Sequence, residues 1–120
     1  MNREPKISVI MSVFNGSKFL ADAIQSILNQ TFKEFELIIV DDGSTDNSLN
    51  IIRSFESADS RIKVISKLNE GLAKSLNAAI SASQGDFIAR MDADDISYKN
   101  RLEKQYEYMQ KNKSIDLCGC

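Results

Sequence analysis

No histidine occurs anywhere in the 120 residues. A zinc site of the usual cysteine and histidine kind is therefore not expected, nor is any mechanism that runs on an imidazole base. Cysteine is nearly as scarce. Cys118 and Cys120 stand one residue apart at the end of the chain, too few for a disulfide framework. No apolar run approaches the roughly 18 residues that cross a bilayer. The opening Met1-Asn2-Arg3-Glu4-Pro5-Lys6 leads into too short an apolar stretch for a secretory signal, so the expected location is cytoplasmic. Charge of one sign is also lacking: 15 basic against 17 acidic residues leave a net charge of −2, with no electrostatic excess to hold nucleic acid. Repeats, low-complexity tracts and linkers are absent, and residues 1–120 read as one domain. At this length a chain that is 42% apolar can bury roughly two-thirds of its unfolded surface.

What is present is a regular alternation of short apolar runs with helical patterns. Ile7 to Val13 is rich in β-branched residues and stops at the turn signal Asn15-Gly16, which predicts a buried strand. Ser17 is then placed to cap a helix whose apolar stripe is Phe19, Leu20, Ala23, Ile24, Ile27 and Leu28. Phe35 to Val40 predicts a second strand, followed by a helix opening near Thr45 or Asp46 and marked by Leu49, Ile52 and Phe55. A third strand is expected over Ile62 to Ser66. The helix after Asn69-Glu70-Gly71 would turn Leu72, Leu76, Ala79, Ile80 and Ser83 inward and close on Gly85 as a left-handed cap. Phe87 to Met91 predicts a fourth strand. A last helix with Leu102, Tyr106 and Met109 inward leads to a fifth strand beginning at Ile115. Strand and helix alternating at this spacing imply parallel strands joined by right-handed crossovers in a three-layer α/β/α sandwich.

In such a sheet a ligand lies beyond the carboxyl ends of the strands, where the strand order reverses. Asp92-Ala93-Asp94-Asp95 puts three carboxylates within four residues at one such end. Unpaired carboxylates repel, and hard oxygen ligands among them suit Mg²⁺ or Mn²⁺. The plain alternative is a solvated turn that caps the next helix. Asp41-Asp42-Gly43-Ser44 ends the second strand in the same way, and its carboxylates can accept from a base N–H or a hydroxyl. Phe14 supplies an aromatic face directly after the first strand. Gly71 at a helix start allows close approach of an anion, although a plain turn explains it better. Arg90 is expected to pair with a nearby carboxylate. Lys74, Lys99, Arg101, Lys104 and Lys111 read as solvated helix faces, and Tyr98, Tyr106 and Tyr108 as packing and surface.

Four segments in register, Ile7 to Asn15, Val40 to Asp46, Asn69 to Ala73 with Asn77, and Gly85 to Asp95, resemble the family 2 glycosyltransferases of the GT-A fold. Ser12-Val13-Phe14-Asn15 stands where that family often has Pro-Thr-Tyr-Asn, so the aromatic is kept without its hydroxyl. The resemblance implies a mainly parallel, Rossmann-like sheet and the nucleotide-sugar half of the enzyme. It implies that Ser12, Phe14, Asn15, Asp42, Gly71, Asp92 and Asp94 bind the donor. Ser12 and Phe14 would line the base pocket, Asp42 would hold the base or ribose, and Asp92 would touch the ribose or sugar. Asp94, the end of the Asp-x-Asp motif, would carry a divalent cation, Mn²⁺ or Mg²⁺, on the diphosphate.

The implied reaction moves a hexosyl group, with inversion, from a nucleoside diphosphate sugar to an acceptor hydroxyl. A UDP-sugar is the expected donor and a saccharide or lipid-linked saccharide the expected acceptor, in bacterial surface polysaccharide synthesis. The family's catalytic base lies downstream, so the chain is expected to be the front half of a larger enzyme and inactive alone. The full-length protein would associate peripherally with the inner face of the cell membrane. An open apolar edge at the fifth strand would favour a homodimer. Against this stand a nucleotide-binding module without turnover and a haloacid dehalogenase type phosphotransferase. The latter needs its Asp-x-Asp after the first strand, and here it follows the fourth. A dinucleotide-dependent dehydrogenase is disfavoured because no Gly-x-Gly-x-x-Gly follows the first strand.

Overall fold

A computed structural model describes residues 5–93, 100–111, 117 and 118, with 109–111, 117 and 118 described by their backbone. The elements run β1 (Ile7–Val13), α1 (Ser17–Leu28), β2 (Phe35–Asp42), α2 (Ser48–Ala58), β3 (Ile62–Lys67), α3 (Leu72–Ala82), β4 (Phe87–Arg90), α4 (Arg101–Lys111) and β5 (Leu117–Cys118). The five strands form one sheet in the order β3-β2-β1-β4-β5, and every pairing is parallel. The chain steps outward from β1 to β3, then returns across β1 to build β4 and β5. The order therefore reverses between β1 and β4, and the crevice for a ligand opens at their carboxyl ends.

Parallel strands covered on both faces need apolar side chains in both directions, which is why β1 and β2 read as near-continuous apolar runs. Val9, Met11, Leu37 and Ile39 point to one face and pack with Leu20, Ala23, Ile24 and Ile27 of α1, Ile52 of α2 and Leu102 of α4. Ile10, Ile38 and Val40 point to the other and meet Ala79 of α3. The three-layer sandwich expected from the sequence is the observed architecture.

Several local expectations change. Phe19 is exposed, because the α1 stripe facing the sheet centres on Leu20, Ala23, Ile24 and Ile27. On α3 the buried residues are Ser75 and Ala79, while Leu72 and Ile80 are exposed. Small side chains let α3 lie close to the sheet and leave its larger residues at the margin. Gly85 is not a left-handed cap; the positive-φ glycines among the described residues are Gly43 and Gly71. Its requirement is space: a Cβ there would lie 2.6 Å from the Ser8 amide nitrogen and 2.8 Å from the Ile7 carbonyl carbon. Arg101 is not a solvated lysine-like residue, since it donates to the Arg90 carbonyl at 2.9 Å. Tyr106 packs on Phe32 and Phe87, with ring centroids 4.8 and 5.7 Å apart. Lys99, Tyr98 and Ile115 lie outside the described residues, as does the Met109 side chain.

A buried polar network at the amino end of the sheet was not legible locally. Ser8 Oγ donates to Glu36 Oε2 at 2.5 Å and accepts from the Gly85 amide at 2.8 Å. The Gln84 amide donates to the same carboxylate at 2.6 Å, and Lys63 closes an ion pair with it at 2.6 Å. Burial pushes the Glu36 carboxyl up, but Lys63, Ser8 and Gln84 together hold it below its ordinary value. The network fixes the α3–β4 connection against β1 and β2.

Candidate donor site at the switch point

At the carboxyl edge the starts of α1, α3 and α4 are held by side chains from elsewhere in the chain. A helix leaves its first amides without intrahelical partners, and a local serine or aspartate usually takes one. Ser17, the expected local cap, is instead the first residue of α1, with Gly16 preceding it. The amides of Asn15, Gly16 and Ser17 donate to Ser44 Oγ at 2.9 Å, Ser48 Oγ at 3.0 Å and Asp46 Oδ2 at 3.2 Å. In return Asn15 Oδ1 accepts from the amides of Thr45 at 2.7 Å and Asp46 at 3.3 Å. At the start of α4, Leu102 N donates to the buried Gln30 Oε1 at 3.0 Å. Sequence reasoning missed Ser44, Asp46, Ser48 and Gln30 because their partners are distant in the chain.

Asp46 carries the strongest perturbation in this edge. The Ser48 hydroxyl, the Ser48 amide and the Ser17 amide hold its carboxyl down at about 2. A folded value depressed below the ordinary 3.8 stabilises the fold above that pH, and the contribution is lost as pH falls through about 2.

Asp42 lies on the α3 face of β2 and is only 3% exposed. Its carboxylate accepts from the amides of Glu70 at 2.9 Å and Gly71 at 3.0 Å, at the entrance to α3. Lys67 Nζ lies 3.3 Å from Oδ1, and also 2.9 Å from Glu70 Oε1. Burial pushes the Asp42 carboxyl up, yet the two amides and Lys67 outweigh it and leave it below its ordinary value. Lys67 in turn is pushed up, chiefly by Glu70 and then by Asp42, with burial opposing. Gly71, at φ +98°, gives up its amide to Asp42. Gly43, at φ +76°, packs against Asn69, where a Cβ would sit 2.7 Å from the Asn69 amide nitrogen. Asp42 and Gly71 are thus brought together, and the structure employs them in joining β2 to α3. Lys67 is the partner that the sequence did not suggest.

The remaining residues border the crevice between β1 and β4. Met91 N donates to the Ile10 carbonyl at 3.0 Å, carrying the chain past the end of β4 beside β1. A Cβ on Gly16 would lie 3.6 Å from Ala93 Cβ, so the loops after β1 and β4 touch at the switch point. Phe14 is 53% exposed there. Ser12 is half-buried on β1, and Asp92 is exposed, with Oδ1 3.4 Å from Arg90 as expected for that arginine. Asp94 and Asp95 lie outside the described residues. Among the described residues no three acidic, cysteine or histidine side chains group as a cation site.

The family model for Glycosyl transferase family 2 matches residues 8–120. The putative glycosyltransferase EpsE of Bacillus subtilis is 46% identical over 121 residues, which cover 99% of this chain and 44% of EpsE. Glycosyltransferase GlyG of Streptococcus pneumoniae is 40% identical over 94% of this chain and 38% of its own length. Among solved structures, S. aureus TarS 1-349 in complex with UDP-GlcNAc superposes with a TM-score of 0.83 at 30% identity, covering 90% of this chain and 32% of TarS 1-349. The chain spans less than half the length of these relatives. With the parallel sheet, the reversed strand order and the match over residues 8–120, the chain belongs to glycosyl transferase family 2 and has the GT-A fold.

Proposed function

We propose that this chain is the donor-binding part of an inverting glycosyltransferase that uses a UDP-sugar and an acceptor hydroxyl, in the synthesis of a surface polysaccharide. One observation carries the reading: the loop after β1, which carries the exposed Phe14, and the loop after β4, which carries the exposed Asp92, touch where the strand order reverses. Phe14 would stack on the base, Ser12 would line the same pocket, and Asp92 would accept from a ribose or sugar hydroxyl. Asp42 and Gly71 keep the start of α3 in place beside the base. The likeness to TarS, solved in complex with UDP-GlcNAc, supports a uridine donor.

The fit of a cation rests on donor chemistry. Ala93 sits against the loop after β1, and the next residue in the chain is Asp94, whose carboxylate is a hard oxygen donor suited to Mn²⁺ or Mg²⁺. Bound there, such an ion would supply charge neutralisation for the diphosphate leaving group. Arg101, donating to the Arg90 carbonyl, ties the start of α4 to the end of β4. Acceptor activation belongs to residues beyond this segment, and the protein would work on the cytoplasmic side of the membrane.

The test is Phe14→Ala in the full-length protein. Stacking of a base on an aromatic ring is worth about 1–3 kcal/mol, so the Kd for UDP should rise about 5-fold or more while that for pyrophosphate stays unchanged. Phe14→Tyr should retain UDP affinity. An unchanged Kd for UDP in Phe14→Ala would remove the stacking reading.

A further inference from the structure

We propose that Asn15, Asp46 and Ser48 are positioning residues that hold Phe14 in place for the donor base; the inference rests on the stacking reading above. Phe14 sits between two fixed points. On one side Val13 is buried and paired with Asp41 in the sheet. On the other Asn15 adopts φ +52°, the one positive φ outside glycine among the described residues. Such a conformation persists where its surroundings over-determine it, and asparagine tolerates it better than most residues.

The surroundings here are the loop from Asp41 to Ser48. Asn15 gives its amide to Ser44 and takes the amides of Thr45 and Asp46 on Oδ1, with the Thr45 hydroxyl at 3.3 Å. Gly16 and Ser17 are tied to Ser48 and Asp46, and Asp46 Oδ1 accepts from the Ser48 amide at 2.9 Å, closing the ring of contacts. No bond in this set uses the Phe14 side chain, yet together they fix the backbone immediately after it. An aromatic ring that is 53% exposed gains less orientation from packing than a buried one. The latch supplies that orientation from the second βα loop. Asn15 therefore acts through Phe14, and its side-chain oxygen is committed to the Thr45 and Asp46 amides.

The alternative is that these contacts only cap α1, and three substitutions separate the two roles. Asn15→Asp keeps an acceptor oxygen and tolerates the positive φ. Asn15→Gly keeps the φ and loses the acceptor. Asp46→Ala, at an exposed position, opens the latch from the other side. In the full-length protein with Mn²⁺, the Kd for UDP and for pyrophosphate would be measured calorimetrically for each, beside Phe14→Ala. Positioning predicts that Asn15→Gly and Asp46→Ala weaken UDP about as much as Phe14→Ala does, leave pyrophosphate within a factor of two, and that Asn15→Asp retains most of the UDP affinity. The proposal is overturned if Asn15→Gly and Asp46→Ala keep wild-type UDP affinity, or if UDP and pyrophosphate weaken equally, which marks a general loss of structure. If Phe14→Ala itself leaves UDP unaffected, the stacking reading fails first, and that outcome is visible separately from the latch variants.

Discussion

Gly85→Ala is expected to lower stability by about 3 kcal/mol or more, a fall of roughly 1 M or more in the urea midpoint. The added methyl would lie 2.6 Å from the Ser8 amide nitrogen, 2.8 Å from the Ile7 carbonyl carbon and 2.8 Å from Ser8 Oγ. Two of these are backbone atoms of β1, held in the sheet on both sides, and cannot turn away as a long side chain could. Relief requires moving the α3–β4 connection outward. That movement breaks the Gly85 amide's bond to Ser8 and loosens the Ser8 and Gln84 contacts that satisfy the buried Glu36 carboxylate. A buried carboxylate short of partners adds its own penalty. A marginally stable domain has about 5–15 kcal/mol in total, so the loss is large. A urea midpoint within experimental error of wild type would show that the connection has slack that this packing denies.

The second large effect is expected for Asp42→Ala. One carboxylate holds two backbone amides at the entrance to α3 and pairs with Lys67. Alanine leaves the Glu70 and Gly71 amides without acceptors in a half-buried place and leaves Lys67 with Glu70 and the Leu68 carbonyl. Hydrogen bonds to a charged group contribute about 1.5–3 kcal/mol each, and partial solvation of the vacated amides recovers part of that. A net loss of about 2–4 kcal/mol is predicted. Its pH dependence gives a second readout. Because the folded carboxyl is held below its ordinary 3.8, its contribution is complete above that pH and disappears as pH falls below it. Wild type and Asp42→Ala should therefore differ most near neutrality and converge in acid. A gap in unfolding free energy that stays constant from pH 7 to pH 2 would contradict the assignment.

The sheet was legible because its central strands β1 and β2 are mostly apolar and buried and the strands are separated by helical stripes, a pattern that follows from burial on both faces. Ile7–Val13 matches its expected bounds residue for residue. The carboxyl-edge location of the site followed from parallel topology alone. What escaped was every interaction that joins residues far apart in the chain. Ser17 was an attractive local cap, but Ser44, Asp46 and Ser48, about thirty residues on, take the α1 amides. Gly85 looked like a helix stop by type, and only the closeness of β1 shows why no side chain fits. Leu72 and Ile80 looked inward by hydrophobicity, whereas Ser75 and Ala79 are the residues that allow close approach to the sheet. Asp42 stood out as acidic at a strand end. That its carboxylate is already engaged by α3 and Lys67 depends on the β3–α3 loop, whose fold no local pattern specifies.

On the function proposed above, the crevice between β1 and β4 binds a nucleoside diphosphate with a divalent cation. Calorimetric titration of the full-length protein with UDP in the presence of Mn²⁺ tests it most directly. A saturable heat with a Kd below about 1 mM, weakened at least about 10-fold by Asp94→Ala and by removal of the cation, is the predicted result. No heat at millimolar UDP, or the same Kd in Asp94→Ala as in wild type, would contradict it.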